Sequence, residues 1–316
     1  MAIFTIDIGG SAIKYGVWAD GELKEKDQFP TPLTRKPFLE QLAAIKTNFE
    51  KTYELEGLAI STTGDVDTET NTLNGTSTVP FLHTSPPIKE ALKDTLNLKL
   101  AMENDANCAG LAEMTYGVGQ GAKNPIFMII GTGVGLAIIE DGKLTHNQGF
   151  KLDEMDKTIA EAVARFRSIG ASAVFMGRRV SLKKFKMPSE IEGKDVFEMA
   201  KNGDEVAQKE VDLLYENIAQ IALHLQSAFH PEFIGVGGGA SNNPDYIQGI
   251  NDGMKRVLEK DHQIMSWLQD LFSPNETNKD ELPIIKSCRF KNDANLIGAV
   301  IHYQKKYGEQ EKIDTK

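Results

Sequence analysis

Glu103-Asn104-Asp105-Ala106-Asn107-Cys108 and, further along, Gly131-Thr132-Gly133-Val134-Gly135 are the stretches on which the reading of this chain turns. In the first, a strand-like segment, Leu98-Lys99-Leu100-Ala101-Met102, delivers a carboxylate to the start of a helix. Asp105 there suits a general base for a hydroxyl nucleophile, a role worth about 10²–10⁴-fold. The bland alternative is that Asn104 or Asp105 only caps the helix, and the two tasks can also divide between them. In the second stretch, the amides of a glycine turn suit a phosphate. Together these are the parts of a phosphoryl transfer to an alcohol.

The strand, glycine turn, strand pattern occurs twice. Ile3 to Ile8 ends in Gly9-Gly10 and resumes at Ile13 to Trp18; Ile126 to Ile130 and Leu136 to Ile139 flank the second turn. This internal duplication carries more weight than either turn alone. Asp7, one residue before its turn, is placed to hold Mg²⁺ through water, although a plain hairpin with a solvated Asp fits the same residues. Leu136 onward reads as strand, which rules out a dinucleotide fingerprint, and no G-x-x-x-x-G-K-[ST] occurs.

Composition sets the outer limits. The chain has 316 residues, 41% apolar and 25% charged, which makes two domains a fair expectation. A net charge of -10 argues against a nucleic-acid partner. Two distant cysteines, Cys108 and Cys288, suit reduced thiols in the cytoplasm rather than a disulfide framework. No apolar run is long enough for a membrane span. No H-E-x-x-H or close His/Cys pair suggests catalytic zinc.

Between these landmarks the periodicity predicts helices at Pro37–Lys51, Ile88–Leu96, Ala106–Thr115, Asp204–His230, Asn243–Lys260 and Asn292–Tyr307, with a charged, frayed tail from Gly308. Strands are expected at Gly57–Ser61, Phe233–Val236 and Leu282–Ser287. Gly117 to Gly121 is the first candidate domain boundary. Gly237-Gly238-Gly239, between a strand and a helix, would leave open space for a flat ring, or simply form a loose connection.

Two glycine hairpins, a central Asn-Asp and a distal glycine triplet, in this order, resemble the ROK-family sugar kinases of the actin, Hsp70 and hexokinase fold group. The resemblance runs from Asp7-Ile8-Gly9-Gly10-Ser11 to Asp293-Ala294-Asn295-Leu296-Ile297-Gly298-Ala299. It implies an α/β protein of two ribonuclease-H-like, actin-like ATPase domains around a cleft: residues 1–118, completed by the C-terminal helix 292–316, and residues 119–291. It implies ATP and Mg²⁺ as cofactors, a small-molecule sugar as partner and a homodimer. By the same resemblance Asp105 is the base, and Asn104, with Gly75, lines the sugar site. Asp7, Gly9, Gly10, Ser11 and Lys14 form one phosphate segment, and Gly131, Thr132 and Gly133 the other. Gly237, Gly238 and Gly239 face the adenosine.

The departures fall in the sugar pocket. The family's G-E-x-G-H is replaced by Gln148-Gly149-Phe150-Lys151-Leu152-Asp153-Glu154-Met155-Asp156, where Glu154, with Asp153 as the second choice, is the candidate stand-in. His83 is the candidate replacement for a missing sugar-binding Asn. The cysteine cluster of zinc-containing members is absent, so the chain resembles the zinc-free β-glucoside kinases. A pocket built on hydroxyl hydrogen bonds discriminates strongly. A catalytically weak sugar- or nucleotide-binding protein is therefore the alternative to an active kinase.

Overall fold

The computed structural model describes residues 2–75, 77–146, 155–272 and 282–314. The chain divides into two units, Met1–Gly117 with Asn292–Lys316, and Val118–Lys291. In the first unit, β1 (Ala2–Ile8) is buried at every residue, which is why AIFTIDI reads as a near-continuous apolar run. It pairs antiparallel with β2 (Ala12–Ala19), which pairs antiparallel with β3 (Glu22–Pro30). After α1 (Arg35–Phe49) comes β4 (Leu55–Thr62), parallel to β1. The small hairpin β5 (Asp65–Asp67) and β6 (Thr72–Asn74) and helix α2 (Ile88–Leu96) precede β7 (Lys99–Asn104), parallel to β4, and α3 (Asp105–Tyr116). The sheet order is β3-β2-β1-β4-β7.

The second unit repeats this plan. β8 (Ile126–Ile130), β9 (Val134–Glu140) and β10 (Lys143–Thr145) form an antiparallel meander. Four helices follow: α4 (Met155–Ala171), α5 (Ala173–Lys183), α6 (Gly193–Lys201) and α7 (Glu205–Phe229). β11 (Ile234–Gly237), α8 (Tyr246–Phe272) and β12 (Ile285–Ser287) complete an order of β10-β9-β8-β11-β12, with β11 parallel to both neighbours. Leu214, Ile218, Ile221 and Leu225 of α7 join Ile126, Met128, Ile130, Ile234 and Val236 in one core. The side chain of Asp204 caps α7 by accepting the Val206 and Ala207 N–H groups, and His230 closes it in left-handed backbone. Among the described residues no helix is long and apolar enough to cross a membrane.

The closing helix α9 (Ala294–Asp314) belongs to the first unit. One face of that sheet packs Phe4, Ile6, Leu58, Ile60 and Met102 against Phe38 and Leu42 of α1 and Leu92 of α2. The other packs Ile3, Ala59 and Ala101 against Cys108 of α3 and Ala299, Val300 and Tyr303 of α9. The helix extends past Tyr307, so the expected frayed tail is helical to Asp314; α8 likewise exceeds its expected end by more than two turns. Strand β3 was not legible because only Phe29 is buried: an edge strand wet on both faces shows no alternation.

Helices α3 and α9 touch where a glycine is obligatory. A Cβ at Gly298 would lie 1.7 Å from the Cys108 carbonyl oxygen, whereas one at Gly308 meets nothing within 4 Å. Gly298→Ala should therefore cost about 3 kcal/mol or more by overpacking, and Gly308→Ala should add about 0.5–1 kcal/mol of helix propensity. Urea unfolding of the two variants checks the contrast.

Candidate active site

The register Asp7↔Ser61↔Glu103 aligns the carboxyl ends of β1, β4 and β7, the end of a parallel sheet where ligands bind. Asp7 is 6% exposed. Its Oδ1 accepts from Ser61 Oγ at 2.7 Å and from Asn295 Nδ2 at 3.1 Å, and its Oδ2 lies 3.9 Å from Lys14 Nζ. A buried carboxylate needs such partners, because desolvation without them would neutralise it. Neither Ser61 nor Asn295 carried a role in the sequence reading; the pairing of β1 with β4 and the return of α9 supply both.

The start of α3 identifies the cap. Asn104 Oδ1 accepts the N–H groups of Ala106 at 3.0 Å and Asn107 at 3.3 Å, while its Nδ2 donates to the Gly64 carbonyl at 3.0 Å. Capping thus falls to Asn104, whose side-chain amide is also a hydrogen-bond partner of the Asp105 carboxylate. Glu103, fully buried, accepts from the Asn104 N–H at 2.7 Å and from Asn107 Nδ2 at 3.1 Å, which fixes the strand-to-helix corner. Asp105 is half-buried and accepts the Ala106 N–H at 2.9 Å. Burial, and then the negative charge of Asp7, push its carboxyl up to about 6, against the pull of its hydrogen bonds. A carboxyl poised there is ionised at neutral pH yet basic enough to take a proton.

The first glycine turn works by close approach. Neither Gly9 nor Gly10 has a positive φ. A Cβ at Gly9 would sit 2.9 Å from the Ala12 carbonyl oxygen, and one at Gly10 would crowd Thr78 Oγ1 at 3.1 Å. Thr31 Oγ1 donates to the Gly9 carbonyl at 2.6 Å, and Ser11 is exposed beside it. The contact of Gly10 with Thr78 brings in the loop that carries the sugar-site candidates. Gly75 is in left-handed backbone (φ 64°) with open space around it. His83 Nε2 is 2.9 Å from Ser77 Oγ. Asp7, Lys14, Asn104, Asp105 and the loop with Gly75 and His83 thus belong to one end of one unit.

In the second unit, the Gly131-Thr132-Gly133 turn is exposed, and neither glycine's Cβ position has a neighbour within 4 Å. The turn is closed by Gly131 N–H donating to the Gly133 carbonyl at 2.9 Å, and buried Ser172 donates to the Gly131 carbonyl at 2.8 Å. The glycine triplet is less open than expected. Gly237 lies inside β11 against Ile129 and Cys288, and Gly238 (φ 99°) would place a Cβ 2.0 Å from the Ile130 carbonyl oxygen. The space assigned to all three belongs to Gly239 alone, because Gly237 and Gly238 are needed for strand packing and for the turn. Glu154 lies outside the described residues.

The duplicated sheet order defines an α/β protein of the actin-like ATPase fold. The chain belongs to the ROK family, whose profile matches residues 3–155 and 157–305. It is 33% identical to an uncharacterized protein of Clostridium perfringens over 315 residues, covering 98% of this chain and 100% of that one. It is 27% identical to the β-glucoside kinase of Listeria monocytogenes over 310 residues, with 96% and 97% covered. A ROK family protein from Streptococcus pneumoniae, solved in complex with sucrose, superposes with a TM-score of 0.72 at 30% identity, covering 98% of this chain and 100% of that chain.

The raised Asp105 carboxyl has a consequence independent of any substrate. Between its ordinary value, about 4, and about 6 the folded chain binds more protons than the unfolded one. Stability contributed by this group therefore falls as pH rises through that window. Asp105→Asn should gain about 2 kcal/mol relative to wild type on going from pH 4 to pH 8. Chemical denaturation at both pH values checks the sign.

Proposed function

We propose that this chain is an ATP- and Mg²⁺-dependent kinase of a hexose or hexose-containing glycoside, acting at the primary hydroxyl. The observation that carries the reading is the placement of Asp105 at the start of α3, beside the buried carboxylate of Asp7. Homology to a β-glucoside kinase supports the class of reaction, and the sucrose in the pneumococcal relative supports a glycoside among the acceptors.

In this reading the Asp105 carboxylate takes the hydroxyl proton as the acceptor oxygen bonds to the γ-phosphorus and the bond to ADP breaks. Little covalent chemistry is asked of the protein; positioning and charge carry the step. Bound Mg²⁺ would supply charge neutralisation for the triphosphate. Asp7 fits a water-mediated role toward it, since Oδ1 is committed to Ser61 and Asn295 while Oδ2 faces Lys14. Lys14 is placed to offset negative charge near that carboxylate, with Gly9, Gly10 and Ser11 presenting backbone at the turn. On the second unit, the open Gly131-Thr132-Gly133 turn and Gly239 offer a cradle for phosphate and nucleoside, with Gly237 and Gly238 shaping the strand end beneath. Asn104, with Gly75 and His83, would contact the sugar; Glu154 is the further candidate.

The same proposal includes a cytoplasmic setting, consistent with ATP as donor and with two buried free cysteines. It includes a homodimer, supported by exposed apolar side chains on α4: Phe166 is 87% exposed, and Ile159 and Ile169 flank it at helical spacing. Light scattering should give twice the monomer mass for wild type and the monomer mass for Phe166→Glu; a monomeric wild type rejects the dimer.

A panel of hexoses and β-glucosides assayed with ATP and Mg²⁺ tests the activity. Asp105→Asn should lower kcat about 10²–10⁴-fold while ATP binding by calorimetry is kept. Wild-type kcat should fall with decreasing pH through the value near 6 set by Asp105. Nucleotide or sugar binding without turnover on any acceptor would instead favour a catalytically weak binding protein.

A further inference from the structure

The hairpin β5–β6 of the first unit is tied to β7 at both ends. At its turn, Asn71 is buried in left-handed backbone (φ 54°). Its Nδ2 donates to the Leu100 carbonyl at 3.3 Å and its Oδ1 accepts the Met102 N–H at 3.0 Å. β7 is last in the sheet order, so this single carboxamide makes the pair of bonds that a further strand would make. Lys306 of α9 completes the turn: its Nζ donates to Asn71 Oδ1 and to the Glu69 carbonyl, each at 3.1 Å, and to the Thr68 carbonyl. The Tyr307 hydroxyl donates to the Leu100 carbonyl at 2.7 Å, and Lys89 of α2 donates to the Thr70 carbonyl at 2.7 Å. At the other end, Asn104 of β7 donates to the Gly64 carbonyl, immediately before β5.

We propose that Asn71 and Lys306 are positioning residues for the acceptor site: by locking the hairpin's register on β7, they fix the loop at Gly75 relative to Asp105. The inference rests on the kinase reading above. β7 delivers Asp105 at its end, and β6 delivers Gly75 at its end, so a slip of the hairpin changes the separation of base and acceptor without altering either residue. The lock is made by an ammonium and a carboxamide bound to neutral oxygens and one backbone N–H. Its effect is geometric. An error of about 1 Å at a reacting pair can cost about 10²-fold in rate.

The test is Lys306→Met, which keeps the apolar stem and removes the donors, beside Lys306→Arg, which restores donors. Lys306→Met should raise KM for the sugar about tenfold and lower kcat, with KM for ATP within about twofold of wild type, and Lys306→Arg should recover most of the loss. Amide hydrogen exchange at residues 65–75 should accelerate in Lys306→Met and return toward wild type in Lys306→Arg. Unchanged sugar KM with unchanged exchange overturns the inference, as does an equal rise in both KM values. Should Lys306→Met not fold, Asn71→Asp carries the same test, since it removes the donor to Leu100 and tolerates the left-handed backbone. A wild-type protein with no turnover on any sugar fails the kinase reading instead. The exchange comparison then decides alone, and unaltered protection at 65–75 overturns the lock.

Discussion

The buried negative charge at the end of β1 governs the architecture around it. Asp7 is almost sealed from water, and a carboxylate in that position persists only if donors replace its hydration. Ser61 comes from the neighbouring parallel strand, Lys14 from across the glycine hairpin and Asn295 from the start of the last helix. The residue after Asn295 is bound as well, because Thr5 Oγ1 donates to the Leu296 carbonyl at 2.9 Å. One charge thereby ties together segments from both extremes of the chain, and the discontinuous first unit follows from it.

The same charge tunes its neighbour. Burial raises the proton affinity of Asp105 and the charge of Asp7 adds repulsion, which outweighs its hydrogen bonds and brings the carboxyl into the range useful for proton transfer near neutrality. Within this arrangement the cap of the helix is made mainly by the neighbouring residue. Asn104 caps the helix and Glu103 braces the corner from beneath, so three consecutive polar residues divide three tasks.

Much of this was legible in the chain because it is local. The strand-to-helix corner at Asn104-Asp105, the two glycine hairpins and α7 with its Asp204 cap and His230 terminus are set by residues adjacent in sequence. What stayed hidden depends on tertiary register. β3 carries no alternation, since both faces are wet. Ser61 and Asn295 acquire meaning only when β1, β4 and α9 are brought together. Asn71 reads as an ordinary turn residue, yet its amide stands in for a strand. Gly9 and Gly238 fall in turns for reasons only the structure supplies, the first avoiding a carbonyl and the second taking up positive φ against a strand end, whereas Gly237, expected in the loop, is buried in its sheet.

The return of α9 also dictates an order of events during synthesis. Residues 118–291 leave the ribosome before the helix that covers Ile3, Ala59 and Ala101 exists, so the second unit can be complete while one face of the first sheet is still bare. N-terminal domains usually fold first on emergence; here the N-terminal unit is the one kept waiting. During that interval the positions that α9 later covers include Ile3 and the flanking Trp18 beside the two alanines, so apolar surface stays open until the helix arrives. The alanines that let α9 sit close in the finished protein leave Ile3 and Trp18 as the side chains that must wait for it.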